Sequence, residues 1–381
     1  ADFGGEVERA LMMVDGAILL VDASEGPLPQ TRFVLKKALT SDKKIIVLIN
    51  KIDRKDARAK EVLDEIYNLF IDLDASEEQI EFPILYAIGR EGIAQTTLEG
   101  KGTDLAPLFD KIIDVIPGPS YQEEEPFQLL VTDLDYSDYI GRLAIGRVAN
   151  GNAHINDSLV RIGEDGSQKP LKITKLQVYE GLKLKEVESA EAGEIAILSG
   201  IDEVHIGDTI CSKDNPKPVK RIMVDEPTIS MVFGINTSPF AGKDGKYVQS
   251  AKLKERLLKE TLRNVALKIE ETENADTFIV KGRGEFQMVI LIETLRREGY
   301  EMSVGRPHVI YKEKDGKKVE PIEHLFIDCE ESFVGVVTDK LSQRKGRMVN
   351  LVNHGTGRVR LEFTIPSRGL IGYRNEFLTD T

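Results

Sequence analysis

Apolar runs alternate with segments of helical periodicity in the first third of the chain. Three runs rich in Ile, Leu and Val predict buried strands: 16–21, 43–49 and 82–86. Apolar side chains three and four positions apart predict helices between and after them: 31–39, 62–73 and 105–113. Fully apolar strands that alternate with helices predict a parallel sheet covered on both faces.

The pattern changes after a linker at residues 117–126, which combines prolines, a glycine and a run of glutamates. No long helical period appears from residue 127 to about residue 211. Short strands alternate there with turns containing Gly, Asn and Asp, at 127–134, 143–148, 171–178 and 195–198. This spacing predicts a small β-barrel.

Residues 226–381 show a degenerate internal repeat. Each copy opens with Glu-Pro, at residues 226–227 and 320–321. The first copy predicts the order β-α-β-β-α-β, which is the split-βαβ plan. The second copy predicts the same order up to its second helix, which begins at Ser367-Arg-Gly369.

Composition excludes several classes of protein. The 51 Lys and Arg against 64 Asp and Glu give a net charge of −13, which excludes a strongly basic nucleic-acid coat as a whole-chain property. The apolar runs are too short to span a bilayer, and no signal peptide opens the chain. Cys211 and Cys329 have no metal-ligand spacing and suit a reducing cytosol. We assign none of the histidines as a metal ligand or a catalytic residue, because they are dispersed along the chain. They are His154, His205, His308, His324 and His354.

The most specific motif is Asn50-Lys51-Ile52-Asp53, at the carboxyl end of a predicted strand. Ligands of open α/β sheets bind at that end. A carboxylate at Asp53 can accept hydrogen bonds from both N1–H and the exocyclic amine of guanine, a donor pair that adenine lacks. Asn50 can fix the loop, and the stem of Lys51 can cover the ring. The alternative interpretation is a solvated turn between a strand and a helix.

A second loop, Ala87-Ile88-Gly89, follows the next strand. A backbone N–H there can meet the guanine carbonyl oxygen, and Gly89 would permit close approach. A plain turn is an equally good interpretation of this segment alone. Asp22 also ends a strand, and we interpret it as structural. No G-x-x-x-x-G-K-[ST] phosphate loop occurs in the 381 residues, so only the base-reading half of a nucleotide site is expected.

Two basic clusters interrupt the acidic background. One comprises Arg344, Lys345 and Arg347, and the other Arg358, Arg360, Arg368 and Arg374. Strand alternation places Arg358 and Arg360 on one face of a sheet. Such clusters are candidate contacts for RNA phosphates, and the alternative is a solvated charged surface. We retain as RNA-contact candidates Arg344, Lys345, Arg347, Arg368 and Arg374.

The residues resemble a known family. Similarity to the second half of a translational GTPase domain, as in elongation factor G, comes from segments beginning Ala1-Asp-Phe, Pro29-Gln-Thr31 and Asn50-Lys-Ile-Asp53. Further segments resemble the TypA/BipA family: Val224-Asp-Glu-Pro-Thr-Ile-Ser-Met231, Asn236-Thr-Ser-Pro-Phe-Ala-Gly242, Lys281-Gly-Arg-Gly-Glu285 and Ile365-Pro-Ser-Arg-Gly-Leu-Ile-Gly-Tyr-Arg-Asn-Glu-Phe377.

The resemblance implies a multidomain α/β, β-barrel and α+β protein with four domains. These are the C-terminal half of a P-loop GTPase domain (1–117), a translation-factor β-barrel (127–215) and two ferredoxin-like domains (224–307 and a truncated 320–381). It implies a cytoplasmic GTPase that binds GTP or GDP with Mg²⁺ and acts in ribosome assembly and in translation under stress. Its implied partners are the ribosome, rRNA and tRNA, with neither membrane nor DNA.

The family's base-reading residues map to Asn50, Lys51 and Asp53. Its second guanine loop usually has a Ser-Ala pair, whereas this chain has Ile88-Gly89, so only a backbone contact carries over. We expect an interior fragment, without the phosphate loop or the family's C-terminal domain, that is inactive alone. Two rival hypotheses are a nucleotide-independent RNA-binding scaffold and a translocase-type elongation factor.

Overall fold

A computed structural model describes residues 4–122, 124–137, 139–201, 203–221, 226–264, 266–353 and 357–381. Three features named in the sequence analysis lie outside these residues: the start of the first motif at Ala1-Asp-Phe3, Val224-Asp225 and His354.

The first unit contains a parallel sheet, as the alternating pattern predicts. Its elements are α1 Gly4–Met12, β1 Gly16–Asp22, α2 Pro29–Thr40, β2 Lys44–Asn50, α3 Ala59–Asp72, α4 Glu77–Ile80, β3 Ile84–Ile88, β4 Ile93–Gln95 and α5 Ala106–Val115. The strand order is β1-β2-β3-β4, in which β1, β2 and β3 are parallel and β4 is antiparallel to β3.

The two faces of β2 pack against different helices, which explains why this strand is apolar throughout. Ile45, Val47 and Ile49 belong to a core shared with α2 and α3, and Ile46 and Leu48 to a core shared with α5.

The prediction that both faces of the sheet are covered is wrong for β1. Ile18 and Leu20 on one of its faces are 42% and 58% exposed, because β1 is an edge strand that no helix of the described residues covers on that side.

The second unit is built from antiparallel strands, and its described residues contain no helix. The strands are β5 Gln128–Ser137, β6 Gly141–Asn150, β7 Asn152–His154, β8 Ser158–Ile162, β9 Gln168–Lys172, β10 Lys175–Glu180, β11 Lys183–Glu186, β12 Ser189–Glu191, β13 Ile195–Ser199 and β14 Thr209–Ser212. The predicted strand 171–178 is divided between β9 and β10. Thr174 lies between them, where its N–H donates to the carbonyl of Ser199 instead of continuing the β8 pairing.

The third unit has the predicted β-α-β-β-α-β order. Its elements are β15 Ile229–Ile235, α6 Ser250–Arg263, β16 Lys268–Glu271, β17 Thr277–Gly282, α7 Glu285–Arg297, β18 Met302–Val304 and β19 His308–Val309. The sheet order β16-β17-β15-β18 is that of a split-βαβ fold, and β19 also pairs with β15.

A hairpin, β20 Lys312–Lys314 and β21 Lys317–Val319, leads to the fourth unit. Its elements are β22 Ile322–Glu330, α8 Val334–Gln343, β23 Arg347–Asn353, β24 Arg358–Pro366, α9 Ser367–Leu370 and α10 Tyr373–Asp380. The sheet order β22-β24-β23 repeats the first three strands of the third unit. The predicted second helix is interrupted at Gly372, whose φ of 74° lies in the left-handed region. The fold class is thus confirmed, and the four domain boundaries stay a prediction.

Candidate functional site

The carboxyl ends of β1, β2 and β3 form one edge of the first sheet. The register places Asp22 opposite Asn50, and Asn50 opposite Ala87. The predicted base-reading motif and the predicted second loop are therefore adjacent, although 39 positions separate Asn50 from Gly89 along the chain. This adjacency is what parallel strands impose on the loops that follow them.

Asn50 connects the two loops directly. Its side-chain Oδ1 accepts a hydrogen bond from the N–H of Gly89 at 2.8 Å. A Cβ at position 89 would lie only 3.2 Å from the Asn50 side-chain amide, so the missing side chain of Gly89 permits this approach. The carbonyl of Asn50 also accepts from the N–H of Ala23 at 2.8 Å, which attaches the loop after β1.

Lys51 turns back across the edge towards β1. Its φ is 62°, in the left-handed region that few side chains adopt. Its Nζ lies 2.7 Å from Oδ2 of Asp22. The next residue, Ile52, donates its N–H to the carbonyl of Ala87 at 3.4 Å. The Asn-Lys-Ile-Asp loop is thus attached to both neighbouring strands.

Asp53, the residue assigned to guanine recognition, contacts a side chain from the second loop. Its Oδ2 lies 3.1 Å from Nη2 of Arg90. Arg90 belongs to a 3₁₀ turn, Gly89–Glu91, that directly follows β3. The side chain of Asp53 is 25% exposed and that of Arg90 is 75% exposed, so the pair lies at the mouth of the site.

Asp22 is held as a carboxylate by its surroundings. Its Oδ1 accepts from the backbone N–H and the hydroxyl of Ser24, at 2.8 and 2.7 Å. Burial alone would raise the pKa of Asp22, but the hydrogen bonds from Lys51 and Ser24 outweigh burial and hold the pKa well below its usual range. These contacts agree with the structural role that the sequence analysis gave to Asp22.

Arg58 fastens the loop between β2 and α3 to the loop after β1. Its Nε donates to the carbonyl of Ser24 at 2.8 Å, and its guanidinium pairs with Glu65 of α3. No role was predicted for Arg58 or Arg90 from the sequence. Each is a single arginine in a polar loop, and only the fold shows which carboxylate it meets.

Two of the candidate RNA-contact arginines form ion pairs within the chain. Arg344 donates to the carbonyls of Gly369 and Ile371 at 2.9 and 3.1 Å and pairs with Glu376 at 2.8 Å, so it stabilises the break between α9 and α10. Arg368 pairs with Glu320 at 2.7 Å.

The remaining candidates are more open to solvent. Lys345, with a φ of 69°, and Arg347 are exposed at the turn between α8 and β23. Neither forms an ion pair with any residue that the structure describes. The guanidinium of Arg374 lies 5.5 Å from the ring centroid of Phe286 on α7. RNA binding by the five candidates stays a prediction.

The prediction that Arg360 contributes to a basic sheet face open to RNA is wrong. This residue is 9% exposed, and it pairs with Asp328 through two bonds of 2.7 and 2.8 Å. Its Nη1 also lies 3.9 Å from Asp72 of α3, which pairs with Arg32 of α2 at 3.2 Å. Arg360 is therefore buried where the first and fourth units meet, whereas Arg358 is exposed.

No group of three or more His, Cys, Asp and Glu side chains among the described residues is placed to hold a metal ion. No helix in the described ranges combines the length and the apolar character that a membrane crossing requires.

Three family models match successive parts of the chain. They are the elongation factor Tu GTP binding domain at residues 1–123, elongation factor G domain 2 at residues 126–213 and the elongation factor G C-terminus at residues 317–381. The first match contains both loops of the candidate site.

Curated relatives match the chain over its full length. Proteins named "Large ribosomal subunit assembly factor BipA" are 48% identical in Bacillus subtilis and in Escherichia coli, and 46% identical in Synechocystis sp.. The alignments cover all of this chain and 62%, 63% and 64% of those proteins, so the chain spans less than two thirds of their length.

A solved structure shares the fold. The crystal structure of a Thermus thermophilus protein designated ttk003000868 superposes with a TM-score of 0.63 at 16% identity, over 98% of this chain and 82% of that one. At this identity the likeness concerns the fold alone.

We expect Asp22→Asn to lower the unfolding free energy by about 1.5–3 kcal/mol at pH 7, because hydrogen bonds to a charged group are lost. The pKa of Asp22 is depressed in the folded state, so its contribution is complete above the unfolded value of about 3.9 and is lost as the pH falls towards the lower folded value. Urea unfolding followed by circular dichroism at pH 7 and pH 3 measures this difference.

The matched control is Asp56→Asn, which removes a 60% exposed carboxylate from the same region and should change stability little. Equal losses in the two variants, or a loss from Asp22→Asn that is the same at both pH values, would contradict the role assigned to Asp22.

Proposed function

From the 48% identity to proteins named BipA over all 381 residues, we propose that the chain belongs to their family and forms part of a cytoplasmic, ribosome-associated GTPase. The relatives are named as assembly factors of the large ribosomal subunit, which makes the ribosome and its RNA the proposed partners. The proposed ligands are GTP and GDP with Mg²⁺, because the first family model is that of a GTP-binding domain.

The observation that supports guanine binding most directly is the adjacency of Asn50, Asp53 and Gly89 at one sheet edge. In this proposal the Asp53 carboxylate accepts from the two N–H groups of the guanine edge. Asn50 holds the second loop in place through Gly89, and the stem of Lys51 runs along the edge towards Asp22.

The same geometry limits the backbone N–H groups that can donate to the guanine carbonyl. The Gly89 N–H already donates to Asn50, so a contact from this N–H to the guanine carbonyl would have to be shared with that bond. The side chain of Ile88 offers no polar atom. We therefore propose that Asp53 supplies most of the base specificity in this chain.

The phosphate side of the site is proposed to lie outside these residues. The 381 residues contain no phosphate-loop motif, which in P-loop GTPases binds the β- and γ-phosphates and supplies the hydroxyl ligand of Mg²⁺. Bound Mg²⁺ would neutralise phosphate charge during hydrolysis. The contribution of the described residues is to select and orient the base.

We expect the 381-residue chain to show no GTP hydrolysis above the uncatalysed rate, with or without ribosomes, because its sequence contains no phosphate-loop motif. Single-turnover assays with radiolabelled GTP measure this, and the full-length protein that contains these residues is the positive control. Ribosome-stimulated turnover by the 381 residues alone would refute this assignment.

Asp53→Asn in the full-length protein should change the preferred base from guanine to xanthine. An amide donates where the carboxylate accepted, and xanthine has a carbonyl at the position of the guanine amine. Affinity for GDP should fall roughly 10- to 100-fold, as expected for an unsatisfied polar pair, while affinity for xanthosine diphosphate rises. Competition against a fluorescent nucleotide measures both, and an unchanged preference would remove Asp53 from the site.

RNA binding is proposed for the exposed turn between α8 and β23. Lys345 and Arg347 combine positive charge, exposure and freedom from ion pairs with described residues, whereas Arg344 and Arg368 are engaged within the fold. We propose that Arg344, Arg368 and Arg374 act mainly by shaping this surface, and that Lys345 and Arg347 contact rRNA phosphates directly.

Replacing Lys345 and Arg347 together by Gln should weaken ribosome binding and reduce the slope of log affinity against log salt by about 1.5, the value for two lost phosphate contacts. Cosedimentation with ribosomes across a salt series measures the slope. The matched control replaces two exposed lysines of the β20–β21 hairpin, Lys314 and Lys317, by Gln. If the control lowers the slope as much, the effect comes from net charge and the site is refuted.

A further inference from the structure

Arg90 forms an ion pair with the carboxylate that the proposed function assigns to guanine. Its Nη2 lies 3.1 Å from Oδ2 of Asp53 and 3.3 Å from Oε1 of Glu91. The guanidinium thus bridges two carboxylates, one within the base site and one on the rim. No other cation among the described residues forms an ion pair with Asp53.

The guanidinium of Arg90 carries donors similar to those of the guanine edge. A carboxylate recognises the guanine edge formed by N1–H and the N2 amino group. Both nitrogens are bonded to the planar carbon C2, and one N–H of each points in the same direction. The arginine side chain ends in the same planar N–C–N unit with parallel N–H donors. The Asp53 carboxylate cannot bind the guanine edge and the Arg90 guanidinium from the same direction at the same time.

The backbone keeps Arg90 beside the site. Arg90 lies in the 3₁₀ turn that begins at Gly89, and the N–H of Gly89 is fixed by Asn50 at 2.8 Å. Gly92, with a φ of 67°, closes the turn and donates its N–H to the carbonyl of Gly89. Because Glu91 also contacts the guanidinium, Arg90 keeps one anionic partner after it leaves Asp53.

We propose that Arg90 is an internal competitor for the guanine site: it pairs with Asp53 in the nucleotide-free protein, and the base must displace it to bind. The competition lowers guanine nucleotide affinity because it stabilises the nucleotide-free state. This inference rests on the proposed function, since it requires that Asp53 reads guanine. The Arg90 side chain is 75% exposed, so the effect is modest and belongs to the range of surface ion pairs.

The test measures GDP binding by the full-length protein, with a fluorescent GDP as the probe. Arg90→Ala and Arg90→Gln should each bind GDP on the order of two- to fivefold more tightly, because the nucleotide-free state loses its Arg90–Asp53 pair. The gain should shrink as salt rises from about 50 to about 500 mM, because salt screens an exposed ion pair. The matched control is Lys55→Ala, which removes an exposed positive charge from the neighbouring loop and should leave affinity unchanged.

A coupling measurement separates this inference from the proposed function. In an Asp53→Asn background, Arg90→Ala should give no gain in affinity for xanthosine diphosphate, because Arg90 has lost its competing carboxylate. If Asp53→Asn does not favour xanthine, the proposed base reading fails. If Asp53→Asn favours xanthine but the Arg90 variants bind GDP no more tightly than the unmodified protein, only the competition is overturned.

Discussion

Parallel pairing of β1, β2 and β3 is the constraint on which the candidate site depends. The pairing aligns Asp22, Asn50 and Ala87, so that three loops from distant parts of the sequence meet at one edge. Each loop is then tied to the next by a specific bond, from Gly89 to Asn50 and from Lys51 to Asp22. The apolar character of β2 matters for function, because burial on both faces keeps this strand in the centre of the alignment.

The sequence was sufficient to predict β1, β2 and β3 with the helices α2, α3 and α5, and to place both loops at the ends of neighbouring strands, because periodicity determines element type and ligands of open α/β sheets bind at the strand ends. It was not sufficient where the outcome depends on contacts between distant segments. Arg360 alternates with Arg358 along β24, and nothing local indicates that Asp328 and Asp72 bury it. Arg90 could be recognised only when the fold placed it beside Asp53.

Charged side chains also determine how the units meet. Arg360 lies between Asp328 of its own sheet and Asp72 of the first unit, while Arg147 of β6 pairs with Asp15 at 2.9 Å. The burial of Arg360 makes its pair with Asp328 costly to break, since removing one partner leaves a charge without compensation. By contrast, the Arg147–Asp15 pair is less buried, so water can replace its contacts at a lower cost.

The uncovered face of β1 has a consequence for handling the polypeptide. Ile18 and Leu20 project from an edge strand whose outer backbone groups pair with no other strand of the described residues. Such edges are templates for pairing between molecules, and apolar side chains strengthen this tendency. The open edge therefore favours self-association of the 381-residue polypeptide in concentrated solution, and the net charge of −13 opposes it mainly while the ionic strength is low.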